Sequence, residues 1–247
     1  MTSFFLIFYT SKGENLNVEE ILNKIGCTKS KPITKKITFR KKEKGEIENK
    51  IEVCGFGIYE ENKCKKGGNR YYLEFNLKNN EIDSQKTMYV LLMNPSNTFP
   101  QKSIDSTIQN VIRVAYALKE LKKVVILNSF SKICGNGEEA KKYFKNKNVK
   151  LEEKNEKLVM NFLESVDEIL IACGDGVSEE QYQSYLTQLK DKKIWTYANS
   201  LTLNSRPRHL SIRSSENRNQ FYKFIKNTRK NYLTVKENQD YFYVEYL

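Results

Sequence analysis

Two asparagines follow buried strands in this sequence, and each lies where a side-chain amide could recognise a ligand. Asn94 follows the apolar run Tyr89 to Met93, and Asn128 ends the strand-like stretch KKVVILN. An amide offers a donor and an acceptor in fixed geometry, which suits reading the edge of a nucleobase. A single asparagine more often caps a turn or a helix, but two at equivalent strand ends favour a binding site.

Other candidate side chains lie in the loops near these strands. The single histidine, His209, follows Arg206 and Arg208 in the loop RPRHLS. A lone histidine is usually structural or exposed, yet one beside arginines is suited to contact an anion or to stabilise developing negative charge. Phe99 could stack on a base, or it could pack beside Pro100.

Several classes of site are disfavoured. The five cysteines form no C-x-x-C pair, so a disulfide framework or a zinc ribbon is not expected. Gly174 and Gly176 match neither common phosphate-binding glycine motif. Asp105 could polarise a water, but its position favours a helix cap. We therefore expect no metal and no cofactor.

The surrounding pattern predicts the fold class. Strands at 87–93, 122–128, 167–173 and 192–198 alternate with helices at 103–121 and 152–165 and with a third helix whose capping box is Ser178 and Gln181. Strand, helix and strand in succession form a parallel crossover. We expect a three-layer α/β/α fold with a central, mainly parallel four-stranded sheet and β additions at both termini.

Three regions are predicted along the chain. Residues 1–68 form a β/α extension with a helix from about Asn17, and residues 69–230 form the α/β core with a last helix at 216–229. Residues 231–247 form a hairpin packed on the core, where it could pair with the N-terminal strands. Two further strands, 51–59 and 69–77, form a hairpin. The basic segment 29–50 is either an edge strand or a solvated loop.

The formal charge of +12 and a pI of about 9.3 favour a polyanionic partner. A solvated lysine-rich surface is the alternative. The N-terminal FFLIFY is too short for a membrane span, so we expect a cytoplasmic protein with no membrane contact. We also expect the protein to be a monomer. The residues of the basic segment that could contact phosphates are Lys35, Lys36, Arg40, Lys41 and Lys42.

The order of the motifs resembles domain-of-unknown-function family 1643. The series is MNPSNTF, IDSTIQNVIRVA, VVILNSF, EILIACGDG and RPRHLSI, and it covers roughly residues 70–213. Each motif is weak alone, but the combination in this order is specific.

The same order is similar to the uracil-DNA glycosylase superfamily. That similarity implies that Asn94 positions the attacking water, Phe99 stacks on the base, Asn128 binds the base edge, and the RPRHLS loop contacts the minor groove and the leaving base. This sequence departs from the superfamily pattern in several places. Asn94 replaces the acid of the most active members, and Arg206 stands at the usual histidine position.

The sequence thus predicts a DNA glycosylase that flips a modified base out of double-stranded DNA and hydrolyses its N-glycosidic bond, in defence against phage. The similarity places the small Ser96 where the uracil enzymes have a large aromatic that blocks the pocket, which implies that a bulky base could enter. We predict catalytic roles for Asn94 and His209, and DNA contacts through Arg206 and Arg208. Two alternatives remain: a non-catalytic nucleic-acid-binding module, and a hydrolase of free modified nucleotides.

Overall fold

A computed structural model describes about two thirds of the chain, including nearly all of the predicted core strands. The described residues are 7–9, 15–17, 27–40, 47–60, 68–78, 86–96, 103–118, 120–135, 139, 142, 149–196, 201–210, 231–238 and 241–246. The predicted helices at about 17–25 and 216–229 lie outside these ranges.

Twelve strands are described, of which ten form one sheet and two, β1 (Ile7–Tyr9) and β2 (Asn15–Asn17), form a separate antiparallel pair. The strands of the large sheet are β3 (Cys27–Lys29), β4 (Ile33–Arg40), β5 (Ile47–Glu60), β6 (Arg70–Leu77), β7 (Lys86–Leu92), β8 (Leu121–Asn128), β9 (Glu168–Ala172), β10 (Lys193–Thr196), β11 (Asn231–Asn238) and β12 (Tyr241–Tyr246). Across the sheet they run in the order β12, β11, β10, β9, β7, β8, β6, β5 and β3, and β4 also pairs with β5.

The predicted fold class is wrong. The sheet has ten described strands rather than four, and six of its nine pairings are antiparallel. The parallel pairings are β7 with β8, β7 with β9, and β9 with β10. The prediction failed because the flanking hairpins add to the sheet edges by backbone hydrogen bonds, and side-chain periodicity does not reveal where a strand will dock.

The three described α-helices lie on the two faces of the sheet. They are α1 (Ser106–Ala117), α2 (Val149–Ser165) and α3 (Glu179–Gln188). Asp105 caps α1 by accepting from the Ile108 amide, and Ser178 caps α3 by accepting from the Gln181 amide, so both predicted caps are confirmed. The crossover from β7 through α1 to the parallel β8 is also confirmed.

The buried apolar residues form two clusters, one on each face. The first joins α1 to alternate residues of the central strands, among them Val90, Leu92, Val124, Ile126 and Leu170. The second joins α2 and α3 to the intervening residues, among them Leu91, Val125, Leu127, Ile169 and Ile171. Because both faces are covered, the central strands read as continuous apolar runs.

The terminal hairpin forms as predicted, because β11 and β12 pair antiparallel. The hairpin adds to the sheet of the core, where β11 pairs with β10, and it forms no pairing with the described N-terminal strands. The hairpin of β5 and β6 is confirmed, and the basic segment contains the strand β4. Among the helices that the structure describes, none has the length and apolar character needed to cross a bilayer.

Candidate functional site

Three parallel strands end side by side at one edge of the sheet. Leu92 of β7 is the register partner of Asn128 on one side and of Ala172 on the other. Beyond the strands, the Ser129 amide donates to the Leu92 carbonyl at 2.8 Å, and the Phe130 amide donates to the Met93 carbonyl at 2.9 Å. We call the segments 94–96, 128–130, 173–175 and 201–210, which gather at this edge, the strand-tip site.

Asn128 is the most unusual residue of the strand-tip site. It has no exposed surface, and neither Nδ2 nor Oδ1 of its side chain has a hydrogen-bond partner among the residues that the structure describes. Side-chain alternation along β8 places it on the same face as Val124 and Ile126, which is the face that α1 covers. Buried polar groups in proteins are nearly always paired, so an unpaired amide here calls for a ligand or another specific cause.

A second buried asparagine fixes the backbone that carries Asn128. The Asn155 side chain, on α2, donates to the Asn128 carbonyl at 2.9 Å and to the Ser129 carbonyl at 3.1 Å. These bonds replace the ladder partners that β8 lacks where it leaves the sheet. The main chain that carries the Asn128 side chain is therefore held in position by α2.

The segment after β7 is held by contacts with its neighbours. The Asn94 Nδ2 donates to the Pro95 carbonyl at 3.0 Å, and the same carbonyl accepts from the Cys134 amide at 3.0 Å. The Ser96 hydroxyl donates to the Asp105 carboxylate at 2.6 Å, and the other oxygen of that carboxylate caps α1. Asp105 thus connects the start of α1 to the segment that carries Asn94.

The segment after β9 meets the loop that contains His209. The Gly174 amide donates to the Pro207 carbonyl at 3.0 Å, and Gly174 has a φ of 61°. A β-carbon added at Gly174 would lie 3.6 Å from the His209 amide nitrogen, so the two backbones are close. The Thr202 hydroxyl donates to the Asp175 carboxylate at 2.6 Å and ties the start of the loop to the same strand end.

Arg206 lies inside the protein, where it joins the loop to α3. It is 5% exposed, it donates to the Val177 carbonyl at 2.7 Å, and it pairs with the Glu179 carboxylate at 2.5 Å. Its guanidinium also lies 4.7 Å from the centre of the Tyr182 ring. In this position the Arg206 guanidinium secures the loop and is not presented to a DNA backbone.

Arg208 and His209 are half-buried on the same loop. The Arg208 Nε donates to the Leu201 carbonyl at 3.1 Å, which closes the loop on itself. The next residue, Leu210, is buried in the cluster beneath α1, and its carbonyl accepts from the Asn110 side chain at 3.2 Å. The structure therefore brings Asn94, Ser96, Asn128 and the Arg208–His209 pair to one edge of the sheet.

Thiol chemistry has no support at this edge. Burial raises the pKa of Cys173 to about 12 and that of Cys134 to about 11, so both remain protonated at neutral pH. No group of three or more histidine, cysteine, aspartate or glutamate side chains suited to a metal ion occurs within the part of the chain that the structure describes.

The remaining predicted residues belong to the basic segment or lie outside the description. Lys35 and Lys36 lie on β4, half-buried and exposed respectively. Arg40 ends the same strand, and nothing is described of its side chain. Lys41 and Phe99 lie outside the described residues.

Sequence reasoning did not select Arg70, which begins β6 at this same edge. Because β6 runs antiparallel to β8, its first residue lies beside the end of β8, and the Arg70 amide donates to the Ser131 carbonyl at 2.8 Å. Asn155 was also missed, although its helical spacing from Leu158, Val159 and Phe162 placed it on the buried face of α2.

A family model described as "Protein of unknown function (DUF1643)" matches residues 70–209. The match begins at Arg70 and ends at His209, so it includes every residue of the strand-tip site except Leu210. No curated protein and no solved structure matches this chain.

Proposed function

The chain belongs to the DUF1643 family of proteins of unknown function, and from the geometry of its strand-tip site we propose that it is a DNA glycosylase. The observation that carries the proposal is the Asn128 amide, which is wholly buried with its donor and its acceptor both unpaired. A nucleobase flipped out of a duplex supplies a complementary acceptor and donor on its edge. The similarity of the motif order to the uracil-DNA glycosylase superfamily supports the same role for Asn128.

The reaction that we propose needs few side chains. Water adds to C1′ of the deoxyribose, the N-glycosidic bond breaks, and its electron pair leaves with the base nitrogen, which is then protonated. Because its Nδ2 donates to the Pro95 carbonyl, the Asn94 side chain has its Oδ1 left to accept a hydrogen bond from the attacking water. An amide oxygen orients water without removing its proton, so we expect slower excision than a carboxylate would give.

The loop residues stabilise the departing base. Arg208 and His209 follow the segment that is bonded to Gly174, at the edge where Asn128 ends its strand. A cationic or hydrogen-bonding group placed there would stabilise negative charge as it develops on the base. In this proposal Phe99 stacks on the flipped base.

We propose a modified or bulky base as the substrate. Ser96, in the segment after β7, is small, and its hydroxyl is already engaged by Asp105. A small side chain here would leave room for a substituent that a large aromatic would exclude. Enzymes with this specificity would act in the cytoplasm against phage DNA that carries modified pyrimidines.

The partner in this proposal is double-stranded DNA. A formal charge of +12 provides the electrostatic attraction, and the basic strand β4 provides candidate phosphate contacts at Lys35, Lys36 and Arg40. Arg206 is not assigned a DNA contact, because its guanidinium is already engaged by the Glu179 carboxylate and the Val177 carbonyl.

The test is direct detection of base release. Purified protein is incubated with duplexes carrying uracil, hydroxymethylated or glucosylated pyrimidines, and the products are examined for alkali-labile abasic sites and, by mass spectrometry, for free base. We expect release of at least one modified base. Salt-sensitive binding without release from any duplex would replace the glycosylase with a binding module, and release only from free nucleotides would indicate a nucleotide hydrolase.

A further inference from the structure

Arg70 is a buried cation that the proposed reaction does not use. It is 2% exposed and among the largest fully buried side chains of the protein. Its Nε has no hydrogen-bond partner, and no ion pair among the described residues includes it. A guanidinium carries five donors and remains charged at every physiological pH, so this group has strong unmet demand for an acceptor.

Three carboxylates on β6 or on elements that adjoin β6 or Ser131 have other described partners. Glu60, one residue beyond Tyr59, the register partner of Arg70, accepts from Asn69 at 2.6 Å. Glu74, on the same strand, accepts from the Tyr72 hydroxyl at 2.7 Å and pairs with Lys123 at 3.5 Å. Glu152 accepts from both the amide and the hydroxyl of Ser131.

Arg206 shows how this fold treats a buried arginine that has a structural role. Arg206 is similarly buried, and it has a carbonyl, a carboxylate and an aromatic ring around its guanidinium. The Nε of Arg206 is unpaired as well, so the two residues differ at the other guanidinium nitrogens, which in Arg70 have no carbonyl or carboxylate partner among the described residues. Burying a charge without a partner destabilises the folded protein, so we expect the Arg70 guanidinium to have an anionic partner when a ligand is bound.

We propose that Arg70 is the phosphate-binding residue of the strand-tip site, and that it holds the phosphate of the nucleotide whose base is bound at Asn128. A phosphate supplies the negative charge and the paired oxygens that a guanidinium binds in a two-point contact. Arg70 begins the strand next to β8, and its amide donates to the carbonyl of Ser131, three residues after Asn128, so both residues lie at the same edge of the sheet. The assignment of the base to Asn128 rests on the proposed function.

The first part of the test measures stability without ligand. Arg70→Met removes an unpaired charge while keeping most of the side-chain volume, so we expect an unchanged or higher Tm. Arg206→Met is the matched control, and it should lower the Tm because Glu179 and the Val177 carbonyl lose their partner. A loss for Arg70→Met as large as that for Arg206→Met would show a structural role and overturn the inference.

The second part measures binding of named phosphate probes by calorimetry. The probes are inorganic phosphate, deoxyribose 5-phosphate, and a duplex containing one tetrahydrofuran abasic analogue. We expect Arg70→Met to weaken at least one of these interactions by about tenfold to a hundredfold. Arg70→Lys keeps the charge but loses the two-point contact, so its affinity should lie between those of the wild type and Arg70→Met. Affinities for all three probes that are equal in wild type and Arg70→Met would overturn the inference.

The probes also separate this inference from the proposed function. Arg70 dependence for the duplex supports a DNA backbone phosphate, whereas dependence for deoxyribose 5-phosphate alone supports a free nucleotide and removes the DNA glycosylase. Base release with no Arg70 dependence for any probe would leave the glycosylase intact and remove only the phosphate assignment.

Discussion

Asn128 and Asn155 are two fully buried asparagines that the structure uses differently. Asn155 donates two hydrogen bonds to the carbonyls at the end of β8, and the Asn128 side chain makes none. A side chain that stabilises the fold and one kept for a ligand should respond in opposite ways to truncation, so the pair offers a test within one neighbourhood.

We predict that Asn128→Ala changes the free energy of unfolding by less than about 1 kcal/mol, because it removes no hydrogen bond. Base release should fall by about two orders of magnitude, since the loss of two hydrogen bonds to a bound base costs about 1–3 kcal/mol for each. Urea unfolding and single-turnover release measure the two effects.

The control is Asn155→Ala, which removes the donor to the Asn128 carbonyl and one of the two donors to the Ser129 carbonyl, and should destabilise the fold by about 1–3 kcal/mol. Wild-type release by Asn128→Ala, together with a stability loss equal to that of Asn155→Ala, would contradict the assignment of Asn128 to the base.

Cys173 provides a second prediction at the residue scale. It is 1% exposed, and burial raises its pKa to about 12. The thiolate fraction is therefore negligible at pH 7.5, and we expect iodoacetamide to leave Cys173 unmodified in the folded protein and to modify it after unfolding in urea. Peptide mass spectrometry reads the result, and rapid modification of the folded protein with loss of base release would indicate thiol chemistry that this account excludes.

At the scale of elements, local signals were predictable from sequence and lateral pairing was not. The caps at Asp105 and Ser178 were predictable because each side-chain oxygen accepts a hydrogen bond from an amide only three residues later, which depends on the local sequence alone. The docking of β11 on β10 depends on backbone bonds between segments far apart in sequence, and no side-chain pattern encodes it.

Strand β6 shows a second limit of sequence patterns. Its alternation of Arg70, Tyr72 and Glu74 with apolar residues is typical of a strand with one face in water. The structure buries both faces, and the Tyr72 hydroxyl and Lys123 provide partners for Glu74. The sequence pattern therefore gave no reason to select Arg70, which is 2% exposed in the structure.

Asp105 joins the start of α1 to the segment that carries Asn94, which leads to a prediction at this scale. Asp105→Ala should destabilise the protein by about 1–2 kcal/mol through loss of the cap. It should also slow base release, because Ser96 loses its acceptor and the segment after β7 is less restrained.

Ser178→Ala is the control for Asp105→Ala, since Ser178 caps α3 and has no described bond to the Asn94 segment. We expect a similar stability loss, seen in urea unfolding, with a smaller effect on release. Equal slowing by the two variants would mean that release follows global stability and not the position of the Asn94 segment.

At the scale of the whole molecule, the proposed function gives the excess positive charge and the strand-tip site separate tasks. The basic strand β4 lies near one side of the sheet, several strands from the end of β7. Charge there would attract and orient the duplex, while the strand-tip site would hold the flipped nucleotide. Affinity and chemistry should therefore be separable.

We predict that neutralising the basic segment weakens DNA binding and leaves release from saturating duplex unchanged. The slope of log K against log salt should fall by up to about 0.9 for each residue that contacts a phosphate. Fluorescence anisotropy at several salt concentrations measures this slope. The residues changed to glutamine are Lys35, Lys36, Arg40 and Lys41.

The control carries the same change of charge on an exposed surface elsewhere, at Lys154, Lys157, Lys190 and Lys193. We predict a smaller change in slope for this variant than for the variant of the basic segment. Equal losses of affinity would mean that total charge, and not the β4 segment, governs binding to DNA.

We propose that the ends of β7 and β8 hold a nucleobase for hydrolysis, and measuring base release is the most direct test. Wild type and the double variant Asn94→Ala/Asn128→Ala, purified identically, are compared on the panel of modified duplexes with free base measured by mass spectrometry. We predict release by the wild type and a loss of at least about a hundredfold in the double variant. Equal release by both proteins, or none from any duplex by the wild type, would contradict the claim.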